Sequence, residues 1–458
     1  MVNAGARLDR LPMSSFHRRF LSLIALGMFF DTFDNAMMAG VLATLVANGT
    51  STFALNAQYI SVSFFGLTVG AALAGLMGDR WGRRFAYQFN LLLFGGMCLV
   101  SAFAPSMPWL IVMRGIMGVG LGAEYVAGYS MITEFIPPAQ RGRSIALVNV
   151  VSSSGGFVVS QVGLFVIPTF GWRAMFIIGG IGALWVWWLR KSLPESPRWL
   201  EAAGRAEDAE RVLAQIEHQV APDGILPPVL PAAPAAVGRV PISVLFRSPV
   251  LHRTLLAVAI NVTVLVCSYS FTAWIPTFFV RQGFSVTRSL TFNAVMSAGA
   301  IFGPLLGFFL ADRIGRRKGI ILVAIGGGVI GAVYPFMSTP ATIMAVGFLL
   351  VGVMNLMITL GLACYTPELF PTAYRFRGSG FAQMMGRAGL IATPYVVVML
   401  YDAYGIAGVV LVLSGMYLTL GAVIAVFGIE TNQKSLEALA PPAAPGLVPA
   451  TAQEDIGR

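Results

Sequence analysis

Asp31 and Asp34 stand three residues apart in an apolar run, on one face of the helix that run predicts. A charge at bilayer depth costs at least ~2.5–3.5 kcal/mol on insertion scales, so such residues face a bundle interior or water and often mark a substrate or proton path. Two carboxylates this close, partly withdrawn from water, cannot both stay ionised cheaply, which suits a proton carrier. The plainer reading is that one of them sits at a water-filled mouth. Glu124 lies inside a later run, ten residues after Arg114 and beside Tyr125. It is a second candidate proton site or a substrate contact, with a structural Arg114–acid pair as the alternative. Arg387 lies well inside another run with no acid near it in sequence. A fixed guanidinium facing a central cavity holds a carboxylate in bidentate fashion; the rival is a pairing with Asp31 or Asp34 across the bundle. The two combine if a substrate anion and an aspartate compete for the arginine.

Polar and aromatic residues in the same kind of run, Gln161, Asn261, Tyr269, Trp274, Asn293, Asn355, Gln383 and Tyr395, are candidates to line that cavity. Each is equally readable as a helix-packing polar group or an interfacial aromatic. Cys98, Cys267 and Cys364 each lie inside an apolar run without metal-site spacing, and are expected as buried thiols with no metal bound. There is no G-x-x-x-x-G-K-[ST] loop for a nucleotide, so no cofactor is expected. Energy then comes from a gradient, and buried aspartates favour protons over sodium.

Holding these residues at depth takes a dozen apolar helices. Of 458 residues, 57% are hydrophobic and 11% charged, against roughly 25% charged in a soluble domain. A soluble core cannot absorb that balance; a bilayer can, provided every backbone polar group is paired inside a helix or a closed barrel. Runs of the ~20 residues a helix needs to cross ~30 Å of hydrocarbon recur along the chain, whereas barrel strands need only ~10 residues of alternating polarity. They predict spans at 20–47, 58–78, 86–104, 109–134, 144–168, 172–190, 254–280, 290–310, 319–337, 341–366, 378–400 and 404–428. The first is too long for the apolar core of a secretory signal and carries both aspartates.

Connections after even-numbered spans are basic: Arg80, Arg83 and Arg84; Arg141 and Arg143; Arg313, Arg316, Arg317 and Lys318; Arg375 and Arg377. Those after odd-numbered spans are nearly neutral, interrupted by Arg173, Arg281, Arg288 and Asp402. The positive-inside rule puts the basic connections and both termini in the cytoplasm. This accounts for the formal charge of +10 without a nucleic-acid partner. The expected organisation is a cytoplasmic segment 1–19, a six-helix bundle 20–190, a cytoplasmic linker 191–253, a second six-helix bundle 254–428 and a cytoplasmic tail 429–458. Within the linker, Glu201 to Gln219 alternates charged and apolar residues as a surface helix does.

Two motifs recur at almost one interval. Gly78-Asp79-Arg80-Trp81-Gly82-Arg83-Arg84 is matched by Ala311-Asp312-Arg313-Ile314-Gly315-Arg316-Arg317, a shift of 233. Glu134-Phe135-Ile136-Pro137 with Arg141 is matched by Glu368-Leu369-Phe370-Pro371 with Arg375, a shift of 234. Two loops displaced by a common interval imply a duplicated six-helix unit, with the substrate site near the midplane between the copies.

On these residues the chain resembles the major facilitator superfamily across nearly all of 18–437. The resemblance implies an all-α membrane protein of twelve transmembrane helices in two pseudo-symmetric six-helix bundles. It also implies a monomeric transporter, not an enzyme, in a plasma membrane, read as a bacterial inner membrane from the compact loops. Pro194-Glu195-Ser196-Pro197-Arg198-Trp199-Leu200 is similar to the sugar-porter and organic-ion branch, as is Glu430-Thr431 with Leu436-Glu437, although Ile429 and Asn432 depart from that branch's end motif. Gly118 to Tyr125 is similar to metabolite:proton symporters, and Asp31-Thr32-Phe33-Asp34 with Gly386-Arg387-Ala388-Gly389 to aromatic-acid:proton symporters, with Thr32 in place of their usual Gly. Asp79, Arg83, Arg114, Glu134, Arg141, Asp312, Arg316, Glu368 and Arg375 are expected in a gating charge network that breaks in one state; topology determination by positive charge is the plainer reading.

The function expected is proton-coupled symport of a small organic anion, a carboxylate and aromatic among the options, by alternating access. Protons and a small-molecule substrate are then the partners. A sugar or polyol symporter, an organic-cation carrier and a non-transporting nutrient receptor are the alternatives, and Arg387 argues against a cation.

Overall fold

The computed structural model describes residues 2–224, 226–228, 242–248, 250–370 and 375–431, leaving aside the side chains of 74–76, 79, 125–126, 138–139, 141–143, 146, 308–313 and 375–377. The side chains of Asp79, Tyr125, Arg141, Asp312 and Arg375, the Pro- and Ala-rich linker residues 229–241, and most of the tail therefore lie outside the described residues.

Among the described residues the chain is helical throughout. A short α1 (Ala4–Asp9) precedes α2 (Ser15–Ala47), α3 (Phe53–Trp81), α4 (Arg83–Ala102), α5 (Met107–Phe135), α6 (Pro138–Phe170) and α7 (Trp172–Arg190). The surface helix expected in the linker is two pieces, α8 (Pro197–Ala202) and α9 (Ala206–Val220), parted around Gly204 at φ 76°. Then follow α10 (Val250–Arg281), α11 (Val286–Ser297), α12 (Gly299–Ile314), α13 (Arg316–Val333), α14 (Pro340–Met357), α15 (Thr366–Glu368) and α16 (Arg375–Phe427). The span expected at 290–310 is thus longer and interrupted at Ala298. Between α14 and α15, Ile358–Tyr365 forms wider π-helical turns. Pro367, which has no N–H to give and whose ring crowds the preceding turn, lies two residues beyond Tyr365.

Among the described residues, ten stretches are long and apolar enough to cross a membrane. One of them, Gly378–Phe427, has 50 residues and is broken at Gly405 (φ 67°), so it serves as two spans. With Phe53–Trp81 added, the described chain has the twelve spans the sequence predicts.

Packing repeats with the sequence. In the first half α3 lies on α5, α2 on α6, and α4 on α7; in the second α12 lies on α14, and α10 and α13 on α16. Small residues set the closest approach: Gly66 and Gly118 face each other so that a Cβ on Gly118 would stand 2.6 Å from the Ser63 carbonyl. Cys98 and Cys267 are buried as expected, but Cys364, in the π segment, is only half-buried.

The two halves touch toward the end that carries the neutral connections. Phe53 stacks edge-on against Trp274 (5.5 Å) and Tyr401 (4.9 Å), and Phe64 against Tyr269 (5.1 Å). Ser61 Oγ donates to the Ile391 carbonyl (2.7 Å) and Gln161 Nε2 to the Ala294 carbonyl (2.9 Å). At the basic end each half carries its own ion pair, Arg83–Glu134 and Arg316–Glu368.

Candidate functional site

Asp31 sits at the midpoint of α2, sixteen residues from either end. Its 3.6-residue period puts Asp34 on the same face one turn on, and both meet residues of α5. The five charged side chains gathered there, Asp31, Asp34, Arg114, Glu124 and Arg190, are each 1% exposed or less. Ionised groups at that depth persist only when paired and hydrogen-bonded, and the structure provides two pairs.

Asp34 binds Arg114, whose Nε donates to Ser63 Oγ (3.0 Å) and whose guanidinium lies over the Tyr59 ring (5.5 Å). This differs from the sequence expectation in two ways. Arg114 pairs with Asp34 and not with Glu124, and it lies in the buried core, apart from the ion pairs at the basic loops. Glu124 instead takes Arg190 Nη2 at 2.6 Å. Arg190 also donates to the carbonyls of Leu23 (3.0 Å) and Ile24 (3.3 Å) and lies 3.8 Å from the Tyr87 ring centroid. Sequence reasoning missed Arg190 because it ends an apolar run beside Lys191, where a basic residue reads as a topology signal.

Asp31 has neither arrangement: among the described residues neither carboxyl oxygen has a hydrogen-bond partner. Around it within electrostatic reach stand Glu124, Asp34, Arg190 and, from the other half, Arg387. Arg387 is half-buried near the middle of the first arm of α16, with Tyr269 on α10 and Tyr129 on α5 also within its electrostatic reach. Tyr129, which donates its hydroxyl to Asn149 Oδ1 (2.5 Å), was not singled out in the sequence. The arrangement sets a buried, unbonded carboxyl of one half within electrostatic reach of a guanidinium of the other.

Of the expected lining residues, Tyr269 is brought to this site. Gln161 and Asn293 are engaged in the contact between halves, Asn293 Nδ2 lying 3.3 Å from Ser160 Oγ. Trp274 is buried beside Phe53 and Phe278 in that same seam. Asn261 is buried within the second half, donating to the Ala257 carbonyl and Thr366 Oγ1, and Asn355 donates to the Val351 carbonyl of its own helix. Gln383 and Tyr395 are exposed on the arm that carries Arg387.

The basic end repeats a third element. Gly82 (φ 103°) and Gly315 (φ 88°) turn the chain into α4 and α13. Glu195 then accepts the backbone N–H groups of Arg83 (3.0 Å) and Arg84 (3.1 Å), and Glu430 those of Arg316 (2.9 Å) and Arg317 (3.3 Å). Burial raises the Glu195 carboxyl above its usual range, against the pull of those backbone bonds. Arg83 Nε meets Glu134 at 3.1 Å, while Arg316 Nε and Thr431 Oγ1 meet Glu368 at 3.3 and 2.5 Å.

Residues 21–441 match the protein family described as "Sugar (and other) transporter". The chain is 37% identical over 441 residues to the Inner membrane metabolite transport protein YdjE of Escherichia coli, covering 94% of this chain and 97% of that protein. It is 32% identical over 437 residues to the Niacin transporter NiaP of Acinetobacter baylyi, covering 95% and 99%. Its fold superposes on the crystal structure of a D-xylose-proton symporter with a TM-score of 0.74 at 19% identity, over 92% of this chain and all of that one.

Proposed function

Since the chain belongs to the sugar (and other) transporter family of the major facilitator superfamily, a family of multi-pass membrane transporters and not of enzymes, we propose that it imports a small aromatic carboxylate together with a proton. The observation that carries this reading is the placement of Arg387 in one half within electrostatic reach of the buried, unbonded carboxyl of Asp31 in the other. A carboxylate lodged between the halves takes the guanidinium in a forked contact, with Tyr269 and Tyr129 beside it. Asp31 then loses a cation that would support its ionised form, and a proton takes over that role. Anion and proton thus favour each other's binding, which is the requirement for symport.

The niacin transporter that is 32% identical supports the aromatic carboxylate, since niacin is one. The positive-inside pattern supports basic connections and both termini in the cytoplasm of a bacterial inner membrane. In that orientation the seam from Phe53 to Tyr401 lies on the outer side. The proton gradient drives the cycle without a cofactor, and one chain suffices, because both faces of the site come from the same polypeptide. Arg387 weighs against a cationic substrate.

Proteoliposomes containing a pH dye test this, with nicotinate, benzoate, xylose and choline added separately and the leak of protein-free liposomes subtracted. Nicotinate or benzoate is expected to acidify the lumen, with the signal lost in Asp31→Asn and weakened in Arg387→Ala. Acidification by xylose alone would overturn the anion assignment, and uptake of nicotinate with no acidification would overturn the coupling.

A further inference from the structure

The Glu124–Arg190 pair is not needed to bind an anion at Arg387, and it is incompletely bonded. Nη1 of Arg190, Oε2 of Glu124 and both oxygens of Asp31 have no hydrogen-bond partner among the described residues, although all three side chains are buried. A buried polar atom left unbonded costs about 1–3 kcal/mol, more when charged, so unsatisfied atoms grouped around one guanidinium call for a reason. Gly27 supplies the second observation. It lies one turn before Asp31 on the same face of α2, and a Cβ there would overlap Nη2 of Arg190 while standing 2.6 Å from Glu124 Oε1. The surface of α2 on which the guanidinium rests therefore continues to its next possible acceptor, and that acceptor is Asp31.

We propose that Arg190 is a counter-ion shared between Glu124 and Asp31, moving toward Asp31 when that residue gives up its proton and back to Glu124 when the proton returns. With Asp31 protonated, Arg190 keeps Glu124 and the Leu23 and Ile24 carbonyls, as in this structure. When the O–H bond of Asp31 breaks and its proton passes to water, the carboxylate accepts Nη1, and Nη2 loosens from Glu124. The groups facing Asp31 are Asp34 on its own helix, Glu124 on α5, Tyr87 on α4, Arg190 on α7, Tyr269 on α10 and Arg387 on α16. Asp34 is matched by Arg114, so each half offers Asp31 one arginine. Substrate anion occupies Arg387 while Asp31 holds its proton, and Arg190 is the cation that receives the Asp31 carboxylate once that proton leaves. Arg190 is thus a positioning residue for the proton site, and this inference rests on the proposed function only for the use to which that proton is put.

The test is the infrared absorption of protonated carboxyl groups followed against pH in lipid-reconstituted, substrate-free protein. A band lost as pH rises is expected in the wild type and absent in Asp31→Asn. Glu124→Gln removes the competing anion and leaves Arg190 to Asp31, so the pH of half-loss falls by at least about one unit, a tenfold change in proton affinity. Arg190→Gln removes the cation, so it rises by a similar amount. The Arg190→Gln/Glu124→Gln double variant buries no unmatched charge at this pair, guards against a folding failure of either single variant, and falls between them. Single variants that shift the same way, or not at all, would overturn the sharing, as would a band that survives Asp31→Asn. With no substrate present, this result is independent of nicotinate uptake: the relay can fail while proton-driven uptake stands, and the reverse.

Discussion

Glu195 and Glu430 hold equivalent positions in the two halves, each accepting backbone N–H groups from the first residues of the helix that follows a left-handed glycine. A carboxylate at a helix N-terminus satisfies donors that have no partner within the helix and complements its dipole. Glu195→Ala and Glu430→Ala each strip that acceptor, and each is expected to cost about 1–3 kcal/mol. The check is the melting temperature of purified protein in detergent, with the Gln variants recovering part of the loss. Unchanged melting in either Ala variant would mean that water replaces the carboxylate at no cost.

Asp34 and Arg114 form a buried pair, and removing one partner leaves the other charged and unmatched. Asp34→Asn or Arg114→Gln alone is expected to destabilise by about 3–5 kcal/mol, whereas the double variant recovers much of that. A double-mutant cycle on melting temperature measures the coupling. Additive losses would show that the two side chains do not depend on each other.

The candidate site was partly legible from sequence because charge in an apolar run is costly enough to be conspicuous: Asp31, Asp34, Arg114, Glu124 and Arg387 all stand out that way. Their pairing was not legible. Arg114 is ten residues from Glu124 but bonds Asp34, 80 residues away, and Glu124 bonds Arg190, 66 residues away. Those choices are set by the packing of α2 against α5 and α7, not by spacing along one helix. Arg190 was hidden by its position at a span end. The spans themselves were readable from hydropathy, but the interruption at Ala298 and the π turns from Ile358 to Tyr365 leave the apolar pattern unchanged and so gave no signal.

The N-terminal segment is clasped by the linker helices. Arg7 gives Nε and Nη2 to the two oxygens of Glu217 (3.0 and 2.6 Å), Arg10 adds a third bond (2.7 Å), and Arg198 holds Asp9 (2.6 Å). Burial works against ionisation of Glu217, but the bonds from Arg7 and Arg10 outweigh it and hold the carboxyl below its usual range. A depressed value in the folded state means that the clasp is fully present above the ordinary glutamate value of about 4.3 and is lost as pH falls through the lower, folded value. The protection factors of residues 3–11, each taken relative to intrinsic exchange at the same pH, should therefore stay high at neutral pH and fall only under acid below that range. In Glu217→Gln they should already be low at neutral pH. Equal protection in the variant would assign the docking to Leu8 and Leu11, which are buried in the same contact.

Phe53 is the centre of the seam that joins the halves at the neutral end. It is 4% exposed, ringed by Trp274, Phe278 and Tyr401, with the Arg281 guanidinium 4.4 Å from its ring centroid. Those partners belong to the second half, so in alternating access they part when that side opens, and only the closed state depends on them. Truncating a buried Phe costs about 3–5 kcal/mol. If the cost falls on one state alone, Phe53→Ala moves the equilibrium toward opening at this end by more than ~100-fold, since each 1.4 kcal/mol is tenfold. A cysteine placed at Gln161, whose amide now reaches across to Ala294, reports the opening in a Cys364→Ser background. Its labelling by a membrane-impermeant maleimide from the neutral side should rise in Phe53→Ala, with a melting temperature lowered less than a core truncation would lower it. Unchanged labelling with a large fall in melting temperature would make the seam a permanent joint and place the moving contact elsewhere.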